Sequence, residues 1–322
     1  MTKIVRVAVF LAALTVAGTA AAQSGYPTRP VKVIVPFSPA GPTDVIARII
    51  AQKLSENMGK QFYVENVAHA GGNTGMGMAA RAPADGYTIL VHGSNFIVNP
   101  SLYAKIPFDP FGDFAPVTLA GTMPNVIVVH PSVPANSVKE LIALVKANPT
   151  KYSYAHPSTG TTPHLAGELF KLTFDLDLVT VPFNGAGLAV QSTIAGHTPI
   201  AFLALPPVAP HIKQGSLRAL AILARKRSAS FPDVPTMEES GFSGQESDAL
   251  TGVVVPAGTP TEIIELLYRE IAKVFAQSDV KQRLAALGFD PVVNTPDEYA
   301  IYIKTEIPKW GKIVRAASIR IE

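Results

Sequence analysis

From residue 31 the chain alternates short apolar runs with longer stretches in which apolar positions recur every three or four residues. Val31 to Val35 predicts a strand, and Asp44 to Met58 carries Val45, Ile46, Ile49, Ile50 and Leu54 along one helical stripe closed by Gly59. Gln61 to Val67 predicts the next strand, followed by a glycine-rich loop and a helix near Gly75 to Arg81. Asp85-Gly86 then turns the chain into a strand over Tyr87 to Val91. Asn125 to Val129 is a further strand, stopped by His130-Pro131. A second series follows: helices over Ser137 to Ala147, Pro163 to Leu172, Gly187 to Ala195 and Val208 to Gln214 alternate with strands over Tyr152 to Ala155, Leu178 to Val181, Ile200 to Leu203 and Ala219 to Ala224. Strands alternating with helices predict an α/β fold whose mainly parallel sheets are covered on both faces.

Residues 228 to 247 are rich in serine, proline, glycine and acid and predict an irregular connection. The apolar run Gly252 to Val255 follows, and then helices over Thr261 to Gln277, Asp279 to Leu287 and Pro296 to Ala316. That is too much helix and too little strand for a third α/β domain. The C-terminal helices are expected to return to the first domain, so that two connections cross between two lobes. The expected division is 23–124 with 250–322 for lobe 1 and 125–249 for lobe 2.

A chain of 322 residues, 48% hydrophobic and 16% charged, is long enough for two such cores. Its first 22 residues fall outside the pattern. Lys3 and Arg6 precede the apolar stretch Val7 to Val16, and Ala20-Ala21-Ala22 supplies small residues for a signal peptidase, so cleavage after Ala22 and export to the periplasm are expected. The stretch is shorter than the about 18 apolar residues that a membrane span needs, and no cysteine follows to carry a lipid. Removing it leaves 25 basic against 24 acidic residues. That balance gives no electrostatic case for nucleic acid or for an anionic membrane. The absence of cysteine excludes disulfides, thiolate metal sites and thiol nucleophiles.

In an open parallel sheet, ligands sit beyond the carboxyl ends of the strands, where helix N-termini present free N–H groups. The first such turn reads "PFSPAGPTDVIAR" (36–48), with no lysine or arginine before Arg48. Thr43 is placed to cap the helix and Asp44 falls in its first turn. A helix N-terminus stabilises an anion by roughly 0.3–2 kcal/mol without any cationic side chain. A rigid, well-capped turn with no ligand accounts for the same residues. The second turn, "SYAHPSTGTTPHLAGE" (153–168), crowds Ser158, Thr159, Thr161 and Thr162 around Gly160 ahead of Pro163, and a doubly capped helix start is again the plain alternative.

Other motifs argue against themselves. Gly75-x-Gly77-x-x-Ala80 approaches the dinucleotide fingerprint, but the next strand ends in His92-Gly93-Ser94 rather than in the acid that holds a ribose. The seven histidines lack HExxH or carboxylates at ligand spacing, so neither a metal nor a cofactor is expected. "GFSGQ" (241–245) lacks the spacing of a nucleophile elbow, and Ser94 has only His92 nearby.

Longer segments carry a family likeness. "PVKVIVPFSPAGPTDVIAR", "APADGYTILV", "GTTPHLAGELFK", "FPDVPTMEESG" and "VVPAGTPTEII" resemble the Bug (TctC-like) family, the extracytoplasmic solute receptors of tripartite tricarboxylate transporters, from about residue 27 to the C-terminus. The resemblance implies a two-lobed, type II-like periplasmic binding protein with two crossing hinge strands. It implies a small organic carboxylate held in the cleft by amides, hydroxyls and water, membrane transporter subunits as partners, and a monomer without enzymatic activity. By position it assigns ligand contact to Ser38, Ala40, Gly41 and Asp44 in one lobe and to Ser158, Thr159, Thr161 and His164 in the other. Gly72, Ser94 and Asn95, with Phe183, Asn184 and Ala204, stand as supporting positions. The chain departs from the family at Ala40, where paired glycines are usual, and at Leu250, where tryptophan is frequent. Two alternatives stay open: an exported hydrolase or esterase using Ser94 or Ser158 with a histidine, and a sensor that reports ligand occupancy to a signalling partner.

Overall fold

The computed structural model describes residues 25–39, 41–183 and 185–320; the expected signal segment, Ala40 and Asn184 lie outside the described residues. In chain order, β1 (Val31–Val35), α1 (Pro42–Met58), β2 (Phe62–Asn66), α2 (Asn73–Ala80), β3 (Thr88–Gly93) and α3 (Asn95–Leu102) lead into a long strand, β4 (Phe114–Val129). Next come α4 (Val138–Ala147), β5 (Ser153–His156), α5 (Thr162–Phe174), β6 (Val179–Pro182), α6 (Ala186–Ile194), β7 (Ile200–Ala204), α7 (Leu205–Lys213) and β8 (Arg218–Ile222). Turns over 223–247 lead to β9 (Asp248–Pro256), and α8 (Thr261–Ala276), α9 (Ser278–Ala286), the short β10 (Asp290–Pro291) and α10 (Pro296–Ala316) complete the chain.

β1 pairs in parallel with β2 and β3, and β5 pairs in parallel with β6 and β7. β4 joins the two groups. From Phe114 to Pro124 it runs antiparallel to β9, whose other neighbour is β3; from Asn125 onward its partners are β7 and β8. The strand order β2-β1-β3-β9-β4-β7-β5-β6 thus divides into two lobes. β4 leads the chain out of the first lobe, and the Ser247–Asp248 connection into β9 leads it back.

Each lobe is a sheet between helices, because alternate strand residues face opposite sides. In lobe 1, Val31, Val33, Val35, Val253 and Val255 join one core with residues of α1, α8 and α9, while Ile34 and Val254 join another with α3 and α10. In lobe 2, Ile127 and Val129 face a core with α4 and α5, and Val126 and Val128 face one with α6 and α7. The C-terminal helices α8, α9 and α10 contribute to the same two cores as β1, β3 and β9.

The differences from the sequence expectation that bear on the site lie in α1, β4 and α3. α1 starts at Pro42 rather than Asp44; Gly41 is its N-cap, with no side-chain cap bond, so Thr43 lies inside the helix. Proline's fixed φ and missing N–H suit a first helical position, which moves the start forward. The strand expected over Asn125 to Val129 is the last third of β4. Pro116 and Pro124 disguise the rest, and register shifts between Pro116 and Thr118 and between Leu119 and Gly121 accommodate the irregular stretch. α3 is absent from the sequence reading because Pro100 lies within its eight residues.

Candidate functional site

Six parallel strands each deliver the chain to a helix start at their carboxyl ends. β1, β3, β5, β6 and β7 lead to α1, α3, α5, α6 and α7, and β2 leads through the short 3-10 turn Ala70–Gly72 to α2. The first-turn N–H groups of such helices lack intrahelical acceptors and carry partial positive charge, so both lobes present anion-receptive ends.

In lobe 1 these turns brace one another. Asp44, 1% exposed, accepts from Arg48 Nε at 2.9 Å and from Asn66 Nδ2 at 2.8 Å, and Asn66 Nδ2 also donates to the Phe37 carbonyl at 3.0 Å. Arg48 is thereby held to the turn's own carboxylate and to Asn66 Oδ1. Gly72 adopts φ +92°, and a Cβ there would press on Met76 and the Pro36 carbonyl at 3.0 and 3.1 Å. Asn95 and Asn99 both donate to the Gly71 carbonyl, at 3.1 and 3.0 Å, which ties the start of α3 to the Ala70–Gly72 turn. Ser38 is exposed and Gly41 half-buried.

In lobe 2 a buried histidine pair shapes the turn between β5 and α5. The Gly160 amide donates to His164 Nδ1 at 3.1 Å, so that nitrogen carries no proton and the ring is the Nε2–H tautomer. His156 Nδ1 lies 3.1 Å from the Ser158 carbonyl and must be the donor, giving the opposite tautomer. Burial lowers both rings to about 4; the neighbouring His164 ring acts in the same direction on His156, whereas Glu168 opposes burial at His164. Beneath them Glu168 accepts from Tyr154 and Thr180, each at 2.6 Å, and from Lys171 at 3.1 Å. Burial pushes this carboxyl up, but the hydrogen bonds and the Lys171 ammonium outweigh it and hold it below its ordinary value. Thr161 Oγ1 donates to the Ser158 carbonyl at 2.7 Å, leaving Ser158 and Thr159 exposed at the rim. Phe183 packs on the α6–α7 core, its amide donating to the His156 carbonyl at 3.0 Å, and Ala204 is the N-cap of α7.

The two lobes meet beside these turns. Gly160 of lobe 2 adopts φ +78°, and a Cβ there would overlap Leu102 of α3. Leu165 of α5 is buried in the lobe 1 core of α3 and α10. The Leu250 amide, on β9, donates to Ser94 Oγ at 3.0 Å. Leu250 itself is 2% exposed and belongs to that same core.

The structure thus gathers Ser38, Gly41, Asp44, Gly72, Ser94 and Asn95 at strand ends of lobe 1, and Ser158, Thr159, Thr161, His164, Phe183 and Ala204 at strand ends of lobe 2. Asp44, Ser94 and His164 are buried and engage protein partners. Leu102, Asn99, Asn125 and Ser247 are missing from the sequence reading. A single asparagine inside an apolar run, as at Asn99 and Asn125, is the sequence signal that could have found two of them, and both prove fully buried.

A serine–histidine pair does not form at Ser94. His92 turns Nδ1 to the Gly93 carbonyl and Nε2 to the Tyr299 hydroxyl, each at 3.0 Å, so neither ring nitrogen serves the Ser94 hydroxyl. Ser158 contributes its carbonyl, not its hydroxyl, to the nearby histidine. Among the described residues no group of three histidine, aspartate or glutamate side chains is placed to hold a metal ion, and no helix is long and apolar enough to cross a membrane.

The sequence model described as "Tripartite tricarboxylate transporter family receptor" matches residues 46–319. Protein BugT of Bordetella pertussis is 37% identical over 325 residues, covering 100% of this chain and 99% of that protein. Among solved structures, R. palustris Rpa4515 with adipate is 32% identical with a TM-score of 0.81, covering 92% of this chain and 100% of that one. MatC from Rhodopseudomonas palustris with bound malate is 31% identical with a TM-score of 0.76, covering 90% and 100%.

Proposed function

The chain belongs to the tripartite tricarboxylate transporter receptor family, and from that membership we propose that it captures a small organic carboxylate between its lobes and delivers it to the membrane subunits of such a transporter. The observation that carries this reading is the set of helix starts at the strand ends of both lobes. Free N–H groups at fixed positions stabilise a carboxylate without a cation, and a ligand that touches both lobes favours closure through the contacts it makes only when closed. Adipate and malate, found with the R. palustris proteins, set the size and charge of the first probes.

Ser38, Ala40, Gly41 and Asp44 belong to one jaw of this proposed site and Ser158, Thr159, Thr161 and His164 to the other. Gly72, Ser94, Asn95, Phe183, Asn184 and Ala204 support them. Asp44 and His164 act by holding their turns rather than by touching the anion, since each is buried and bonded within its own turn. The lobes comprise 23–124 with 250–322, and 125–249. The protein acts as a monomer in the periplasm after cleavage behind Ala22.

Thermal unfolding of the purified protein against mono- and dicarboxylates, adipate and malate included, tests the reading. A ligand at a hundredfold excess over its Kd adds about 2.7 kcal/mol of stability, which raises the melting temperature measurably, and the ligand is recovered unchanged. No rise with any carboxylate, together with consumption of an ester, overturns the proposal in favour of a hydrolase.

A further inference from the structure

Residues 247 to 250 are bonded to a helix start in each lobe. On the lobe 1 side, the Leu250 amide donates to Ser94 Oγ, which stands immediately before α3. On the lobe 2 side, Ser247 Oγ donates to the Thr162 carbonyl at 3.2 Å, in the first turn of α5, and accepts from Asn125 Nδ2 at 3.0 Å. Asn125 is the residue at which β4 changes partners from β9 to β7. A strand advances about 3.3 Å per residue, so this short strap reaches both jaws with only Asp248 and Ala249 between its two anchors.

The strap backbone is fixed separately. The Ser247 amide donates to the Leu223 carbonyl at 2.7 Å, and the Leu223 amide to the Asn125 carbonyl at 2.8 Å. The hydroxyl of Ser247 therefore adds a link to α5 rather than holding the strap in place. Asn125, Thr162, Ser247 and Leu250 are all at most 2% exposed, so water does not compete for these bonds. Asn125 Oδ1 already has no hydrogen-bond partner, and removing the Ser247 hydroxyl would strip the amide group of its other contact as well.

We infer that Ser247 is a positioning residue for ligand capture: its hydroxyl holds the start of α5 to the strap that also holds the start of α3, so that displacement of one jaw is transmitted to the other. The inference rests on the cleft reading for its meaning, but the mechanical coupling is measurable without ligand.

The experiment is amide hydrogen exchange on the ligand-free full chain, comparing wild type with Ser247→Ala and Ser247→Thr. Exchange in the alanine variant is expected to quicken at least tenfold at Leu165 in lobe 2 and also at Leu250, Ile97 and Val98 on the lobe 1 side, with threonine close to wild type. The affinity for adipate or malate, whichever stabilises the wild type, falls about tenfold with alanine and returns with threonine. Quickening confined to lobe 2, or no rescue by threonine, overturns the inference. Should Ser247→Ala fail to fold, Ser94→Ala gives the reciprocal test: faster exchange at Leu165 supports the coupling and unchanged exchange there refutes it. Failure of the carboxylate reading shows separately, as a wild type that binds no carboxylate.

Discussion

His156 and His164 stack with ring centroids 4.2 Å apart and planes inclined by 24°, each in the tautomer that the other's neighbours exclude. One ring takes the Gly160 amide and the other gives to the Ser158 carbonyl, so the pair fixes both ends of the exposed Ser158–Thr159 rim. Only the neutral state of His164 does this, because a protonated Nδ1 cannot accept.

The pH dependence of stability follows. Both rings take up protons in the unfolded chain near 6.5 but in the fold only near 4. Their contribution is complete above about 6.5 and is lost as the pH falls toward 4. Melting temperatures across that window should decline, with a shallower decline for His164→Gln; equal slopes would show that the pair does not titrate as described.

Asp248 works in the opposite direction. Burial, reinforced by the Asp290 carboxylate, pushes it up to about 7, and its Oδ1 is buried without a hydrogen-bond partner. The fold keeps this proton where the unfolded chain, with its ordinary 3.8, has released it. Stability from this group is therefore lost as the pH rises toward 7. Asp248→Asn should raise the melting temperature more at pH 8 than at pH 5. The same gain at both values would remove the carboxylate from the explanation.

Gly160→Ala tests the meeting of the lobes. The substitution places a side chain at φ +78°, a left-handed conformation that costs about 1–2 kcal/mol, and drives its Cβ onto Leu102. Carboxylate affinity should fall, and Leu102→Ala in the same chain should restore part of it. A double variant no better than the single would mean that the contact across the lobes does not matter.

Gly252 on β9 leaves room for a buried bond. A Cβ at that position would overlap the Tyr299 hydroxyl and come within 2.8 Å of His92 Nε2, the two atoms that bond each other at 3.0 Å. Gly252→Ala should destabilise by about 1–3 kcal/mol through overpacking, and Tyr299→Phe should relieve part of the loss in denaturant unfolding. A neutral Gly252→Ala would contradict this packing.

Thr161 bears on the jaw itself. Its hydroxyl closes the rim on the Ser158 carbonyl and supplies no cap bond to α5. Thr161→Ala should weaken carboxylate binding by about 0.5–1.5 kcal/mol, the range for one hydrogen bond. Unchanged affinity in calorimetry would move the site to another loop.

Much of the fold was legible because local signals agreed: Val31 to Val35, the stripe from Val45 to Leu54 and the run from Ser137 to Ala147 all became the elements that their spacing predicts. Where prolines interrupted the pattern, it misled. Pro116 and Pro124 concealed the hinge strand, and Pro100 concealed α3, whose tertiary contacts override the local preference. The turns "PFSPAGPTDVIAR" and "PSTGTTPH" were visible as helix starts from their own residues. Their relation to each other was not, since Gly160 with Leu102 and Ser247 with Thr162 are pairings across long stretches of chain that no periodicity encodes.

Native mass spectrometry of the purified chain tests the central claim most directly. The account predicts one small carboxylate per chain, either carried through purification or taken up from an added panel, released intact on unfolding and held at lower occupancy by Thr161→Ala. A chain that retains a molecule without a carboxylate, or that takes up no carboxylate at all, would contradict it.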